Sequence, residues 1–399
     1  MVFVRSFLRS FIRPPPPHMK ILSVNAVLDP VLGGGTAERT FQMSRFLARA
    51  DVDCTVLTLD LGLGAERLAA LHPAKSCVLH CTLPRFYLFS LPKPQIEALV
   101  READVVHLMG HWTLLNAVVA RECRRQNKPY AVCPAGALPI YGRSRWLKKL
   151  YNLLAGKQLI RRAAACIAIA RNELEHYAEY GISADRVTMI PNGIDAAEFG
   201  DADDAAFRGK FGLPDAPFVL FLGRLAPIKG PDLLLEAYLG IAAAYPDVHL
   251  VVAGPDGGML ETLQARAAAT GIADRIHFIG AVSGADKSRA YHAATLLAIP
   301  SRQEAMSIVV LEAGICGTPV LITDRCGFDE LVDAGGGQVV KASVEGLQAG
   351  LAEMLSTREK LPAMGSALRL FTQDNYLWAS IVKQYVALFE KLARERDPA

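Results

Sequence analysis

The segment "SRQEAMSIVVLEAGICGTPV", residues 301–320, combines two acidic side chains with an almost unbroken apolar run. Glu304 precedes that run, and Glu312 follows eight positions later. Burying a carboxylate without a partner is costly, so each glutamate needs either a basic neighbour or a polar ligand. Whether each glutamate has a basic neighbour or a polar ligand depends on the rest of the chain.

The overall composition is that of a folded enzyme long enough for two domains. The chain has 399 residues, of which 51% are apolar and 21% charged, and this argues against extended disorder. The net charge of +3 is too small to indicate a nucleic-acid-binding protein. No run of Lys and Arg interleaved with aromatic residues suggests one either.

The cysteine and aspartate patterns argue against a metal site. None of the eight cysteines forms a C-x-x-C pair, so we expect reduced, mostly buried thiols in a cytoplasmic protein. Two D-x-D strings, at 51–53 and 201–203, could suggest a metal-dependent nucleotide site. Neither follows a strand at a ligand-binding edge, so we interpret both as turn acids and predict no obligatory metal or cofactor.

Residues 1–18 differ in character from the rest of the chain. Their apolar residues are interrupted by three arginines and followed by four prolines. The segment is too short and too charged for a membrane span or a secretory signal. We expect a disordered extension, with Met19 as an alternative start. A basic amphipathic turn that touches a membrane remains an alternative.

Short runs rich in β-branched residues alternate with longer helical patterns along two halves of the chain. Such alternation predicts an α/β fold with two doubly wound, Rossmann-like domains facing across a cleft. We assign residues 19–197 to the first domain, 198–216 to a linker and 217–373 to the second domain. Residues 374–399 form a helical pattern that could cross back to the first domain. Predicted strands are 20–27, 53–59, 104–109, 129–134, 165–170, 186–191, 218–223, 248–254, 275–280, 296–301 and 318–323.

Two loops at predicted strand ends carry features suited to phosphate. Gly33, Gly34 and Gly35 precede a helix expected near Thr36, and glycines let backbone amides approach a ligand closely. The pattern is neither G-x-G-x-x-G nor a Walker loop, and a flexible turn explains it equally well. In "GRLAPIKG", Arg224 and Lys229 follow the first strand of the second half, where two cations could neutralise a diphosphate. Ordinary solvated basic residues are the alternative.

Residues 301–320 are predicted to begin at the carboxyl end of a strand. They follow the strand 296–301, and a helix starting near Met306 would offer free amides to a phosphate. Glu304 would stand in the loop and Glu312 about two turns into the helix, roughly 12 Å away at helical rise. Two carboxylates at that spacing could grip the sugar and the ribose of a nucleotide sugar. A helix cap with a buried carboxylate paired to an arginine is not excluded by spacing alone.

These segments together resemble the retaining glycosyltransferases of family 4, which have the GT-B fold. Residues 301–332 are similar to their E-x7-E signature, and 223–230 to their diphosphate loop. "GGGTAERT" at 33–40 and "VTMIPNGID" at 187–195 resemble further segments of that family. The resemblance covers nearly the whole chain from Met19 onward.

The resemblance implies specific roles in a reaction that uses a nucleoside-diphosphate sugar. Glu304 would contact the donor sugar hydroxyls near the reacting centre, and Glu312 the ribose hydroxyls. The departing diphosphate would be stabilised by Arg224 and Lys229, assisted by the amides of Met306, Ser307 and Ile308. Gly34 and Gly35 would line the cleft from the first domain.

Three positions depart from the family pattern. Ala135 stands where many relatives have a histidine near the donor sugar, Ala305 replaces a common glycine, and Ala170 replaces a serine. His111 is a candidate to compensate for Ala135. His107 and His111 also have helical metal-ligand spacing, but no third ligand is evident.

The expected function is sugar transfer, with retained anomeric configuration, to an acceptor hydroxyl in bacterial polysaccharide or lipid-linked glycan assembly. A nucleotide-sugar epimerase or phosphorylase, or a non-catalytic sugar-nucleotide binder, are the alternatives. Residues 141–154, "YGRSRWLKKLYNLL", carry four cations among aromatic and apolar residues. They could rest on an anionic membrane or meet a lipid-linked acceptor, or form an ordinary surface helix. We therefore expect a cytoplasmic protein, peripheral on the inner face of the membrane.

Overall fold

The computed structural model of the protein describes residues 18–140 and 144–396. The predictions made for the N-terminal extension up to residue 17, for 141–143 and for 397–399 lie outside these residues. Within the described residues, no helix combines the length and apolarity needed to span a bilayer.

The first domain is built on a seven-stranded parallel sheet with the order β3-β2-β1-β6-β7-β8-β9. A short antiparallel hairpin, β4-β5, lies beside it. The strands are β1 (Lys20–Val24), β2 (Asp53–Leu59), β3 (Lys75–Leu79), β4 (Cys81–Leu83), β5 (Leu88–Phe89), β6 (Val105–Met109), β7 (Tyr130–Cys133), β8 (Ala165–Ala168) and β9 (Val187–Met189).

Helices of the first domain cover this sheet, and α4 shows how an apolar face and a capped end favour such packing. In α4 the Thr113 hydroxyl accepts from the Asn116 amide, and Leu115, Val119 and Cys123 are buried. The helices are α1 (Pro30–Arg49), α2 (Ala65–Ala69), α3 (Lys93–Glu102), α4 (Leu114–Arg125), α5 (Arg145–Tyr151), α6 (Lys157–Arg161) and α7 (Glu173–Glu179). A π-helical turn, Asn152–Gly156, joins α5 to α6.

The second domain repeats this architecture with a six-stranded parallel sheet in the order β12-β11-β10-β13-β14-β15. Its strands are β10 (Phe218–Leu222), β11 (His249–Ala253), β12 (Ile276–Gly280), β13 (Leu296–Ile299), β14 (Val320–Thr323) and β15 (Gly337–Val340). Its helices are α8 (Asp204–Phe211), α9 (Pro231–Ile241), α10 (Leu260–Ala268), α11 (Gly284–Ala293), α12 (Ile308–Cys316), α13 (Val344–Ser356) and α14 (Leu361–Asn375). The predicted α/β fold with two doubly wound domains is confirmed.

All eleven predicted strands are present, whereas β3, β15 and the β4-β5 hairpin were not predicted. Both missed sheet strands lie at an edge. An edge strand has one neighbour and is less covered, so its sequence need not be a continuous apolar run. All four residues of β15 are partly exposed, and only Leu79 of β3 is fully buried.

The segment predicted as a linker, 198–216, contains helix α8. The Asp203 carboxylate caps this helix by accepting from the Ala206 amide at 2.9 Å, and Phe207 is fully buried. Helix α8 packs on α11 of the second domain. These residues therefore fold onto the second domain rather than spanning open solvent.

The chain returns to the first domain through helix α15 (Trp378–Arg396). This helix packs against α1 and β6. Its Tyr385 and Phe389 rings contact the buried His107 of β6. Trp378 lies against Gly193, where an added Cβ would come within 2.6 Å of the indole. The last helix thus joins the connection between β9 and α8, residues 190–203, to the first domain. We call this connection the hinge.

All eight cysteines are free, and seven of them are buried. Burial raises the pKa of several of these thiols, that of Cys54 to about 12. Such groups stay protonated and behave as small apolar side chains.

Candidate functional site

The candidate site lies where the carboxyl ends of the two sheets meet. In the second domain, Arg224 follows β10, Glu304 follows β13 and Arg325 follows β14. In the first domain, the glycine loop follows β1 and Ala135 follows β7. Ligands of doubly wound sheets bind at these edges, so the topology brings the predicted residues together.

Glu304 and Lys229 form an ion pair, with 2.9 Å between the Lys229 Nζ and the Glu304 Oε1. The Ser301 hydroxyl also donates to Glu304. The Glu304 amide donates to the Arg325 carbonyl at 2.7 Å, which fixes the loop against the next strand end. With its side chain only 11% exposed, the Glu304 carboxylate has partners that offset its desolvation.

Arg224 reaches from the second domain into the first. Its guanidinium donates to the backbone carbonyl of Val31, two residues before the glycine loop. Because Val31 and Arg224 belong to opposite walls of the cleft, this contact places the predicted diphosphate cation beside Gly34 and Gly35.

Helix α1 consists of two helical segments: a short turn that begins at Pro30 and was not predicted, and, after a kink at Gly34, a segment that starts close to the predicted position near Thr36. The Asp29 carboxylate caps this first turn by accepting from the Leu32 amide at 2.7 Å. The helix is interrupted at Gly34, whose φ of 58° and ψ of −142° fall outside helical values. An added Cβ at Gly34 or Gly35 would meet no atom within 4 Å, so both face open space.

Helix α12 begins at Ile308, two residues later than predicted, so Glu312 lies about one turn into the helix instead of two. The Ser307 amide donates to the Cys326 carbonyl at 3.2 Å. Of the three amides predicted to bind phosphate, that of Ser307 is therefore already engaged. Met306 contacts the hinge, where its carbonyl and thioether accept from Asn192 at 3.4 Å each.

Glu312 is buried, and both its oxygens have protein partners. Lys287 Nζ donates to Oε1, and Tyr291 Oη donates to Oε2 at 2.6 Å. The alternative of a paired buried carboxylate is thus realised with a lysine and a tyrosine instead of an arginine. The sequence contained an indication of this pairing, since Lys287 and Tyr291 are four residues apart and therefore lie on one face of a helix.

The two domains also touch beside Glu304. The Asn172 side chain donates to the Ala305 carbonyl at 3.2 Å, and an added Cβ on Gly136 would lie 2.7 Å from the Ala305 methyl. Glu173 fixes the Gly136 loop by accepting from the Gly136 amide at 2.5 Å and from the Ile169 amide at 2.7 Å. Burial raises the pKa of this carboxyl. Ala135 has a left-handed φ of 50°, which costs an L-residue energy.

His111 does not reach the cleft. It is buried among the rings of Trp112, Tyr151 and Tyr180, and its Nε2 lies 2.9 Å from the Asn152 Oδ1. Burial lowers its pKa to about 4. The hypothesis that His111 compensates directly for Ala135 is therefore wrong in this structure. No cluster of three potential metal ligands exists among residues 18–140 and 144–396.

A buried arginine that sequence reasoning missed ties the hinge to the first domain. Arg39 of α1 donates to the Asn192 Oδ1 at 2.6 Å and to the Ile190 carbonyl at 2.8 Å. It also donates to the Tyr385 hydroxyl at 2.5 Å. Since Asn192 contacts Met306, this network connects α15 with the start of α12.

Comparison with known sequences identifies the family. The profile "Glycosyltransferase Family 4" matches residues 33–198, and "Glycosyl transferases group 1" matches 203–370. The chain belongs to the family 4 glycosyltransferases. Curated relatives of this chain are called D-inositol 3-phosphate glycosyltransferase. That of Segniliparus rotundus is 35% identical over 225 residues, covering 55% of this chain and 50% of the relative. That of Mycolicibacterium gilvum is 42% identical over 165 residues, covering 40% and 36%. The chain thus spans at most about half of these relatives.

Solved structures show the same fold. Anabaena HepE in complex with UDP-glucose has a TM-score of 0.77 at 21% identity, covering 94% of this chain and all of the HepE chain. Sucrose-phosphate synthase of Thermosynechococcus elongatus has a TM-score of 0.72 at 21% identity, covering 94% and 99%. The fold is therefore GT-B.

Proposed function

We propose that this protein transfers a sugar from a nucleoside-diphosphate donor to an acceptor hydroxyl with retained anomeric configuration. The observation that carries the proposal is the convergence of Arg224, Lys229 and Glu304 at the cleft. Two cations there suit a leaving diphosphate, and an adjacent carboxylate suits sugar hydroxyls. The relatives named glycosyltransferase and the UDP-glucose complex of HepE support a nucleotide-sugar donor.

In the proposed reaction the bond between the anomeric carbon and the diphosphate oxygen breaks first. Arg224, Lys229 and amides at the start of α12 stabilise the negative charge that develops on that oxygen. The acceptor oxygen attacks from the same face and its proton passes to the departing diphosphate. Glu304, oriented by Lys229 and Ser301, holds the sugar hydroxyls while the two domains exclude water.

Donor consumption with and without an acceptor tests this function. A panel of UDP-, GDP- and ADP-sugars is incubated with glycan and lipid-linked acceptors, and product anomers are assigned by NMR. We expect acceptor-dependent release of nucleotide and a retained configuration. Acceptor-independent conversion would indicate an epimerase, and donor binding without turnover a non-catalytic binder. Either result, or an inverted product, contradicts the proposal.

We further propose that the acceptor is met at a membrane surface. Trp146, Leu150, Leu153 and Leu154 follow the i, i+4, i+7, i+8 pattern of one helix face. Their side chains are strongly exposed, Leu153 to 78% and Leu154 to 71%. An open groove beside them is lined by Ser144, Arg145, Trp146 and Lys149.

This combination fits an anionic, lipid-linked acceptor on the inner face of the cytoplasmic membrane. Exposed leucines and a tryptophan gain free energy by entering the interface, while the two cations attract anionic headgroups. Sugar transfer in polysaccharide or lipid-linked glycan assembly is the setting that such a surface favours.

A further inference from the structure

Helix α11 of the second domain holds the carboxylate of Glu312 on both of its oxygens. Lys287 Nζ lies 2.5 Å from Oε1, and Tyr291 Oη lies 2.6 Å from Oε2. Lys287 and Tyr291 are one helical turn apart, so they reach the same side of α12 together. This pairing fixes both the position and the plane of the carboxylate.

The two partners differ in what they can offer a ligand. The Tyr291 side chain is fully buried, whereas that of Lys287 is 28% exposed beside a Glu312 side chain that is 4% exposed. Each carboxylate oxygen can accept two hydrogen bonds. One lone pair on each oxygen therefore remains for the two neighbouring hydroxyls of a ribose.

Phe199, in the hinge segment Ala196–Phe199, restricts both partners from the other side. Lys287 Nζ lies 5.7 Å from the centre of the Phe199 ring, a cation–π distance. The Tyr291 and Phe199 ring centres are 6.2 Å apart. A lysine held by a carboxylate and an aromatic face has few rotamers left, which makes the arrangement preorganised.

We infer that Lys287, together with Tyr291, is a positioning residue that presents Glu312 to the ribose of the nucleotide. The inference rests on the proposed function and extends it, because it assigns ribose recognition to a three-residue unit on two helices. Lys287 acts through Glu312 and takes no part in breaking the sugar–phosphate bond.

The test compares a nucleotide that has ribose hydroxyls with one that lacks them. Wild-type protein is titrated with UDP, GDP and ADP by calorimetry. The tightest binder and its 2′,3′-dideoxy form are then titrated into Lys287→Met, Lys287→Arg, Tyr291→Phe and Lys210→Met variants. Lys210 is the matched control, since it forms a lysine–carboxylate pair with Asp286. Asp286 lies on α11, the helix that also carries Lys287. Thermal unfolding confirms that each variant is folded.

We expect Lys287→Met to lose about tenfold or more in affinity for the ribonucleotide, as for a lost hydrogen bond to a charged group. The affinity of Lys287→Met for the dideoxy form should be unchanged. Lys287→Arg should restore part of the preference for the ribonucleotide over the dideoxy form. Lys210→Met should bind both nucleotides like wild type. Tyr291→Phe, like Lys287→Met, should show a reduced preference for the ribonucleotide over the dideoxy form. An equal loss for both nucleotides in Lys287→Met, or no loss, would overturn the inference. Failure of wild type to bind any of the three nucleotides would instead contradict the proposed function itself.

Discussion

The ammonium group of Lys229 lies 2.9 Å from the carboxylate of Glu304. The side chain predicted to bind the donor diphosphate and the side chain predicted to bind the donor sugar therefore neutralise each other. In the proposed reaction, a donor diphosphate must compete with Glu304 for that lysine. The proposal therefore predicts that the carboxylate opposes binding of the nucleotide part of the donor while it favours binding of the sugar part. These two effects can be separated by substitution.

Glu304→Gln should change nucleotide binding and turnover in opposite directions. Removing the negative charge frees Lys229, so affinity for the free nucleoside diphosphate should stay equal or rise. Turnover with the full donor should fall about 10- to 100-fold, because hydrogen bonds to a charged acceptor are lost. Calorimetry and initial rates measure the two quantities. Glu312→Gln is the comparison variant, and it should weaken nucleotide binding. Parallel loss of both quantities in Glu304→Gln would contradict this account.

The proposed leaving-group role of the two cations predicts a severe loss of turnover in the Arg224→Ala, Lys229→Ala double variant. Turnover at saturating donor should fall by at least about 100-fold, since removal of a single charge-stabilising donor already costs this much in other enzymes. The double variant should still fold, but its unfolding temperature should fall below that of wild type, because the Glu304 carboxylate, only 11% exposed, loses its lysine partner. Full turnover in the double variant would refute the role.

The contact between Gly136 and Ala305 predicts coupled effects across the cleft. In Gly136→Ala the new methyl would lie 2.7 Å from the Ala305 methyl, and the φ of 82° is unfavourable for alanine. We expect lower stability and lower turnover. Adding Ala305→Gly should recover the part due to the clash and leave the part due to φ. A double-mutant cycle of the free energy of unfolding measures this coupling. Strict additivity would show that the two positions do not touch.

The Arg39–Tyr385 hydrogen bond predicts that α15 stabilises the first domain through a polar contact. Tyr385→Phe leaves the buried guanidinium with one partner fewer, which should cost about 1–3 kcal/mol of the free energy of unfolding. Tyr87→Phe is a suitable control, because Tyr87 is partly exposed. Chemical denaturation measures both. Equal stability of Tyr385→Phe and wild type would show that the network contributes nothing.

Two buried histidines predict a loss of stability in acid. Burial lowers the pKa of His107 to about 3 and that of His111 to about 4, from an ordinary value of 6.5. Both rings stay neutral in the folded protein, while the unfolded chain takes up protons below about pH 6.5. Stability from these sites is complete above that pH and falls as the pH drops toward 4. The free energy of unfolding should fall less steeply over that window in His111→Gln than in wild type. An unchanged pH dependence would contradict the assignment.

The exposed leucines of the π-helical turn predict reversible binding to anionic bilayers. A Leu153→Glu, Leu154→Glu variant should bind phosphatidylglycerol vesicles at least about tenfold more weakly, because two leucines no longer enter the interface. Leu370→Glu, at an exposed leucine of the second domain, is the control and should bind like wild type. Sedimentation with phosphatidylglycerol and phosphatidylcholine vesicles measures the difference. Equal binding of all three proteins would exclude this surface.

The sequence alone determined the two parallel sheets and the strand ends at which Arg224, Lys229 and Glu304 stand. Strand and helix patterns are local, since they follow from which side chains alternate between core and solvent. The edge strands β3 and β15 were not predicted, because their exposed residues carry no such pattern.

Only the tertiary structure decided which groups pair within the site. Lys229 with Glu304, Lys287 with Glu312, and the Ser307 amide with the Cys326 carbonyl all join residues from separate elements of the fold. A carboxylate that must be buried needs some partner, but sequence spacing does not state which element will supply it. Packing of α11 on α12, and of the β10 loop on the β13 loop, made that choice.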